Sequence, residues 1–169
     1  LIFFFCFSIF SSISQTNEVV PLNNLAINET PRPISSVIFE DFSGNEIDLK
    51  DYQGKLIIIN FWATWCVSCK KEMPSLEALY QNKNFKNLQI FPVNIEEFNI
   101  QKTKIFFDKL NIKKLEIFFD SNLHFVKEFK LRAVPTTILV SKKGEELGRI
   151  IGEVNFQDKE FLKWLLKYD

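Results

Sequence analysis

Two cysteines separated by two residues are the part of this 169-residue chain best suited to chemistry. Cys66 and Cys69 would lie one turn apart on a helix. The apolar run Leu56–Trp62 precedes them and is typical of a strand buried on both faces. A helix that begins at Cys66 would stabilise a thiolate there through its free N–H groups and its dipole. The pattern favours thiol–disulfide exchange, with Cys66 attacking and Cys69 closing the disulfide.

Other uses of a cysteine pair fit this sequence less well. A zinc site needs about four ligands, and Cys6 and His124 are the remaining cysteine and histidine of the chain. Haem attachment requires a histidine directly after the second cysteine, where this chain has Lys70. A structural disulfide between residues so close in sequence would restrain little of the unfolded chain.

The composition is that of one ordinary domain with short extensions. Apolar residues make up 46% of the chain, enough for a packed core. The 21 basic and 21 acidic residues balance to a formal net charge of zero. Because nucleic-acid binding relies on a basic surplus that displaces phosphate counterions, we expect no nucleic-acid partner.

The first 34 residues are predicted to lie outside the folded domain. Residues 1–14 are mostly apolar and predict a signal peptide or membrane anchor, with small residues at Ser12 and Ser14 for cleavage. The sequence begins with Leu1 and shows no basic region there, so we expect this segment to be truncated at its start. Residues 15–34 contain three prolines and four asparagines, which is typical of a linker.

The remaining residues, 35–169, alternate between strand and helix patterns. The predicted elements are a hairpin over 37–42 and 46–49, a strand over 55–62, a helix over 66–81, a strand over 88–95, a helix over 101–110, a strand over 115–119, a helix from a cap at Ser121 to 129, a hairpin over 136–140 and 147–151, and a helix over 156–168. This order predicts a three-layer α/β domain with a mixed central sheet.

The stretch NFWATWCVSCKKEMPSL, residues 60–76, resembles the active site of the TlpA/ResA-like thioredoxins, a family of periplasmic thiol-disulfide oxidoreductases. Five features agree with that family besides the cysteines: a buried strand ending in NFW, Trp65 before the first cysteine, KKE after the second, Pro74, and Val134-Pro135-Thr136 far downstream. The resemblance extends from about residue 35 to the C-terminus. It implies a thioredoxin fold with an N-terminal hairpin and an additional helix and strand over roughly 99–119.

The resemblance also implies catalytic roles. Cys66 matches the exposed nucleophile of the family and Cys69 its resolving thiol. Glu72 resembles the acidic residue beneath the cysteine pair, and the alternative is a solvent-exposed glutamate favoured by the helix dipole. Ordinary thioredoxins carry an aspartate in the buried strand, where this chain has Asn60, so Glu72 is the natural substitute as proton acceptor.

Three further residues are implied to contact substrate. Pro135 resembles the family's cis-proline, which faces the cysteines and offers backbone to a bound peptide, and Val134 precedes it. Trp65 would shield one side of the cysteine pair. Ser68 stands where proline is commoner in the family, and this leaves the redox potential open.

The implied function is the reduction of disulfides in exported client proteins, either apocytochrome c or copper-site assembly proteins. The Cys66–Cys69 disulfide would serve without a cofactor or a metal. We expect client proteins with disulfides or paired cysteines, an upstream membrane thiol reductase, and contact with the membrane if the N-terminal segment is uncleaved. The protein is expected to be a monomer in the periplasm or on the extracytoplasmic face of the membrane, tethered or secreted.

Three alternatives use the same cysteines. A dithiol oxidase would introduce disulfides, although such oxidases usually carry a histidine between the cysteines and a large helical insert. A copper chaperone would hold metal through Cys66 and Cys69, and would typically add a ligand that Met73, expected in the helix core, does not supply. A peroxidase would need a single attacking cysteine, against which the pair argues.

Overall fold

A computed structural model describes residues 22–169 as an eight-stranded mixed sheet with helices on both faces. The strands are β1 Leu25–Pro33, β2 Ile38–Asp41, β3 Glu46–Asp48, β4 Leu56–Trp62, β5 Leu88–Asn94, β6 Phe118–Phe119, β7 Thr136–Val140 and β8 Glu145–Ile151. The helices are α1 Val67–Tyr80, α2 Ile100–Lys109, α3 His124–Glu128 and α4 Lys159–Leu165, with short 3₁₀ turns at Leu49–Tyr52 and Leu166–Tyr168. The predicted three-layer α/β thioredoxin architecture is confirmed.

Strand β4 lies inside the sheet and all seven of its residues are buried. Successive side chains of a strand point to opposite faces, and those of β4 supply two separate cores. The core on the α1, α2 and α4 side receives Leu56, Ile58 and Trp62, and the core on the α3 side receives Ile57, Ile59 and Phe61. The polar residue Asn60 falls on the α1 side by the same alternation.

The neighbours of β4 decide what lies beside its carboxyl end. In the order β1-β8-β7-β4-β5-β6-β2-β3, β5 runs parallel to β4 and β7 runs antiparallel. Phe61 pairs with Thr136, the first residue of β7. The loop that enters β7 therefore lies next to the loop that leaves β4 and carries the cysteines.

The additional helix and strand, α2 and β6, are present as predicted and are attached to α1 through Glu77. The carboxylate of Glu77 accepts backbone hydrogen bonds from Lys113, Lys114 and Leu115 at 2.9 to 3.1 Å. Because those N–H groups bond to a side chain, they are not available for a strand ladder. Leu115 is thereby excluded from the predicted strand 115–119, and β6 itself covers only Phe118–Phe119.

The prediction of a linker over residues 15–34 is wrong for its second half. Leu25–Pro33 forms β1, an edge strand that pairs antiparallel with β8. Proline is unfavourable in the middle of a sheet because it has no N–H to donate. An edge strand tolerates it because one side of its backbone has no neighbouring strand to pair with. The register shifts between Ile27 and Arg32. The folded domain thus begins about ten residues before the predicted boundary.

Two helix starts also differ from the prediction. Asp120, rather than Ser121, receives the free N–H groups at the start of α3, from Phe125 and Val126. The last helix begins at Lys159 and not at residue 156, because the carboxylate of Asp158 caps it.

The predicted export segment, residues 1–14, lies outside the described residues, as does the linker up to residue 21. Within the described range, 22–169, none of the helices combines the length and the apolar character needed to cross a membrane.

Candidate functional site

The cysteine pair lies where β4 passes into α1. Cys66 is the N-cap of α1, with extended backbone, and its sulfur accepts a hydrogen bond from the Cys69 N–H at 3.2 Å. The two residues form a disulfide with a Cα–Cα distance of 5.3 Å. Cys66 is 5% exposed and Cys69 is fully buried. The expected order of accessibility is therefore present, although Cys66 is more covered than the predicted exposed nucleophile.

The loop before β7 presents the predicted cis-proline. The Val134–Pro135 peptide bond is cis, which confirms that prediction. The Pro135 carbonyl accepts a hydrogen bond from the Gly152 N–H at 2.9 Å, and Val134 packs against the core that contains both cysteines. Trp65 is 64% exposed, so most of this side chain faces solvent.

Glu72 lies on the same face of α1 as Cys69, one turn further on. Its carboxylate is buried and accepts hydrogen bonds from the Asn60 amide at 2.8 Å and from the Val154 N–H at 3.1 Å. The alternative of a solvent-exposed glutamate is therefore wrong. This side chain connects α1 with β4 and with the segment after β8.

Burial raises the pKa of Glu72 to about 7, even though the hydrogen bonds from Asn60 and Val154 favour the charged form, and Glu153 adds to the rise. An isolated buried carboxylate is held neutral by the loss of hydration, and two donors only partly offset that loss. Glu72 therefore changes its charge near neutral pH, in the range where thiols exchange protons.

Asn60 stands where ordinary thioredoxins carry an aspartate, so the side chain at this position has an amide group that can donate hydrogen bonds. Its Nδ2 group bonds to both Glu72 and the hydroxyl of Thr137, at 2.8 and 3.0 Å. Its Oδ1 atom is buried and has no hydrogen-bond partner among the described residues.

Sequence reasoning missed Glu96, which fixes the loop ahead of the cysteines. Its carboxylate accepts hydrogen bonds from both the backbone N–H and the hydroxyl of Thr64, and from the Lys102 ammonium. Partial burial alone would raise the pKa of Glu96, but these donors outweigh it and hold the pKa below its usual value. An acidic residue just beyond the carboxyl end of β5, beside β4, was the signal that could have identified it.

Sequence reasoning also missed Val154. It acts through its backbone N–H, which nearly every residue type has, so the residue type does not reveal this role.

Within the range 22–169, no group of three or more histidine, cysteine or acidic residues could hold a metal ion.

Comparison with known proteins places this geometry in a family. A profile described as the AhpC/TSA family matches residues 32–145. The thiol-disulfide oxidoreductase ResA of Bacillus thuringiensis subsp. konkukian is 32% identical over 139 residues, which is 82% of this chain and 78% of that protein. The ResA of Bacillus anthracis is 34% identical over 130 residues, 77% of this chain and 72% of that protein.

The chain belongs to the ResA-like thioredoxins of the AhpC/TSA family. The crystal structure of StoA from Bacillus subtilis superposes with a TM-score of 0.64 at 25% identity, covering 82% of this chain and 98% of StoA. This ResA-like protein is a thiol-disulfide oxidoreductase, and Cys66 and Cys69 form a disulfide in it.

Replacing Glu72 with Gln should remove a pH dependence of stability. Between pH 4.5, the ordinary pKa, and pH 7, folded Glu72 keeps a proton that the unfolded chain releases. Raising the pH through this window therefore destabilises the native protein, by on the order of 2–3 kcal/mol. Below it, neutral Glu72 is equally protonated in both states. Urea unfolding at pH 4.5, 6 and 8 should show this loss in the wild type and not in Glu72→Gln. Parallel stability curves would show that Glu72 ionises normally in the fold.

Proposed function

We propose that this oxidoreductase reduces disulfides in exported client proteins. Support comes from the cysteine pair at the N-terminus of α1, with the cis Val134–Pro135 bond at the same edge of the sheet and a buried acid one turn behind. In the reduced protein, the Cys66 thiolate attacks one sulfur of the client disulfide. A mixed disulfide forms and the other client sulfur leaves as a thiolate. Val134, Pro135 and Trp65 would hold the client strand in this step.

Cys69 completes the reaction. Its thiolate attacks Cys66, the mixed disulfide breaks, and the second client thiol leaves while the Cys66–Cys69 disulfide forms. Two electrons have then passed to the client. Because Cys69 is fully buried, its proton needs a nearby acceptor, and Glu72 stands one turn away with a pKa near neutrality. A membrane thiol reductase would restore the dithiol, and the protein would act as a monomer.

The proposed clients are apocytochrome c or copper-site assembly proteins, and the proposed place is the periplasm or the extracytoplasmic face of the membrane, tethered or secreted. Support for this comes from the resemblance of residues 60–76 to that family and from the apolar character of residues 1–14.

Glu72→Gln should lower the thiol pKa values and slow turnover by about tenfold, because a carboxylate opposes a nearby thiolate and accepts the proton of Cys69. Alkylation of the reduced protein by iodoacetamide across pH reports the pKa values, and single-turnover reduction of a disulfide peptide reports the rate. Glu77→Gln is the matched control, since Glu77 is also buried on α1 but bonds to the loop of the insert. If both variants titrate and react like the wild type, Glu72 has no part in the exchange.

The reduction potential of the Cys66–Cys69 pair distinguishes a reductase from an oxidase. For a reductase we expect roughly −220 to −290 mV, near thioredoxin and the glutaredoxins. Equilibration with a glutathione or dithiothreitol series, followed by alkylation and mass spectrometry, measures it. A value near −120 mV, that of a strong oxidant, would instead assign the protein to disulfide formation.

The variant Cys69→Ser should capture the clients. It keeps the attacking thiol at the helix N-terminus and removes the thiol that releases the mixed disulfide. Client adducts should then accumulate and survive non-reducing electrophoresis. Cys66→Ser is the control and should capture little, because the remaining Cys69 is buried.

The captured proteins also decide between the proposed clients. Adducts with a haem-attachment CxxCH protein indicate cytochrome c maturation, and adducts with a copper-binding CxxxC protein indicate oxidase assembly. Absence of adducts from both variants would count against disulfide exchange with proteins, and copper titration of the dithiol would then test the chaperone alternative.

A further inference from the structure

A cleft of about 360 Å³ opens beside the cis Val134–Pro135 bond. Its wall on one side is the loop between α3 and β7, and its floor is formed by β1 and β8. Four of its lining side chains are cationic, namely Arg32, Lys130, Arg132 and Arg149, and none is acidic. In a chain whose formal net charge is zero, this is a local concentration of positive charge.

Two of the four cations are held in place by one buried carboxylate. Glu146, 1% exposed, receives Arg32 Nη2 at 3.0 Å and Arg149 Nη2 at 2.6 Å. Arg149 also donates to the Phe129 carbonyl at 3.0 Å. One negative charge cannot neutralise two guanidinium groups, so the floor of the cleft stays positive while its geometry is fixed.

The other two cations face solvent. Lys130 and Arg132 are exposed, and neither makes an ion pair with any residue in the described part of the chain. Including Glu146, the cleft carries a net charge of about +3 at neutral pH. Exposed Ile151 and half-buried Leu131 add apolar surface between the charges.

The strand register puts this cleft two strands away from the carboxyl end of β4, the strand that leads to the cysteines. Ile151 pairs with Thr136 of β7, and Thr136 pairs with Phe61 of β4, shortly before the cysteines. Two strand spacings amount to about 10 Å. An extended peptide covers about 3.3 Å per residue, so about three residues span those two spacings, and we allow up to five because Cys66 lies beyond the end of β4.

We infer that this cleft binds an acidic side chain of the client, placed three to five residues from the cysteine that exchanges with Cys66. The inference rests on the proposed function, since it assigns a binding preference to the same client. Aspartate or glutamate is the complementary group, because guanidinium donors match carboxylates and a cluster of cations attracts them over several ångströms. The cleft would therefore select among disulfides that Cys66 attacks equally well.

The test uses disulfide-containing peptides that differ only in the residue four positions before or four positions after the reactive cysteine, as Asp, Asn or Lys. Single-turnover reduction by the reduced protein gives a second-order rate constant for each. For the wild type at low salt we expect the Asp peptide of one series to react about tenfold faster than its Lys counterpart, and this preference should fall below about twofold in 0.5 M NaCl.

The double variant Lys130→Asn/Arg132→Gln should lose most of the preference for the Asp peptide. Asn is chosen at position 130 because the backbone there has a φ of 50°, which asparagine tolerates. The matched control, Lys159→Gln/Lys163→Gln, removes two exposed charges from α4 and should keep the preference. A wild type that does not distinguish the peptides, or a double variant that distinguishes them as the control does, overturns the inference.

Reduction of hydroxyethyl disulfide, which is small and uncharged, separates this result from the proposed function. All variants should reduce it at the wild-type rate, because the cleft does not touch the thiols. Failure of the wild type to reduce both this reagent and the peptides would overturn the proposed function itself. Normal reduction of the reagent without any charge preference overturns only the role of the cleft.

Discussion

The burial of β4 on both faces is the constraint on which the site depends. All seven residues of the strand are buried, so none of them can present a reactive group to a substrate. The chain can do so only after it leaves the carboxyl end of the strand. There it turns directly into α1, with Cys66 as the cap. The antiparallel neighbour β7 must start at that same edge, so the loop that carries Pro135 lies next to the loop that carries the cysteines. The burial of β4 in the core thus determines where Cys66 lies.

Within that frame, the polar residues at the α1 face of β4 work as a unit. A buried glutamate is unfavourable by itself, and the fold compensates with donors from Asn60 and Val154. An aspartate at position 60 would place a second carboxylate against Glu72, and like charges so close cannot both ionise. The amide of Asn60 in β4 therefore makes it possible for Glu72 to lie on α1, one turn from the buried thiol of Cys69.

Much of this architecture could be predicted because it follows from local pattern. The apolar run of β4, the spacing of the cysteines and the dipeptide Val134-Pro135 each carry their signal within a few residues. The start of the domain could not be predicted in the same way. Strand β1 contains Pro31 and Pro33 and few apolar residues, and only its pairing with β8 makes it a strand. The shortness of β6 and the role of Glu96 likewise depend on contacts between segments that are distant in sequence.

The attachment of the insert to Glu77 has a consequence for how this protein can vary. Among the described residues, the hydrogen bonds to this carboxylate come from the backbone N–H groups of residues 113, 114 and 115, and the side chains of those residues take no part in them. Substitutions in that loop are therefore free at all three positions as far as this contact is concerned, with proline as the one exclusion, since it has no N–H to donate. The junction of the insert with α1 therefore depends on the acid at position 77 and on the backbone of the loop.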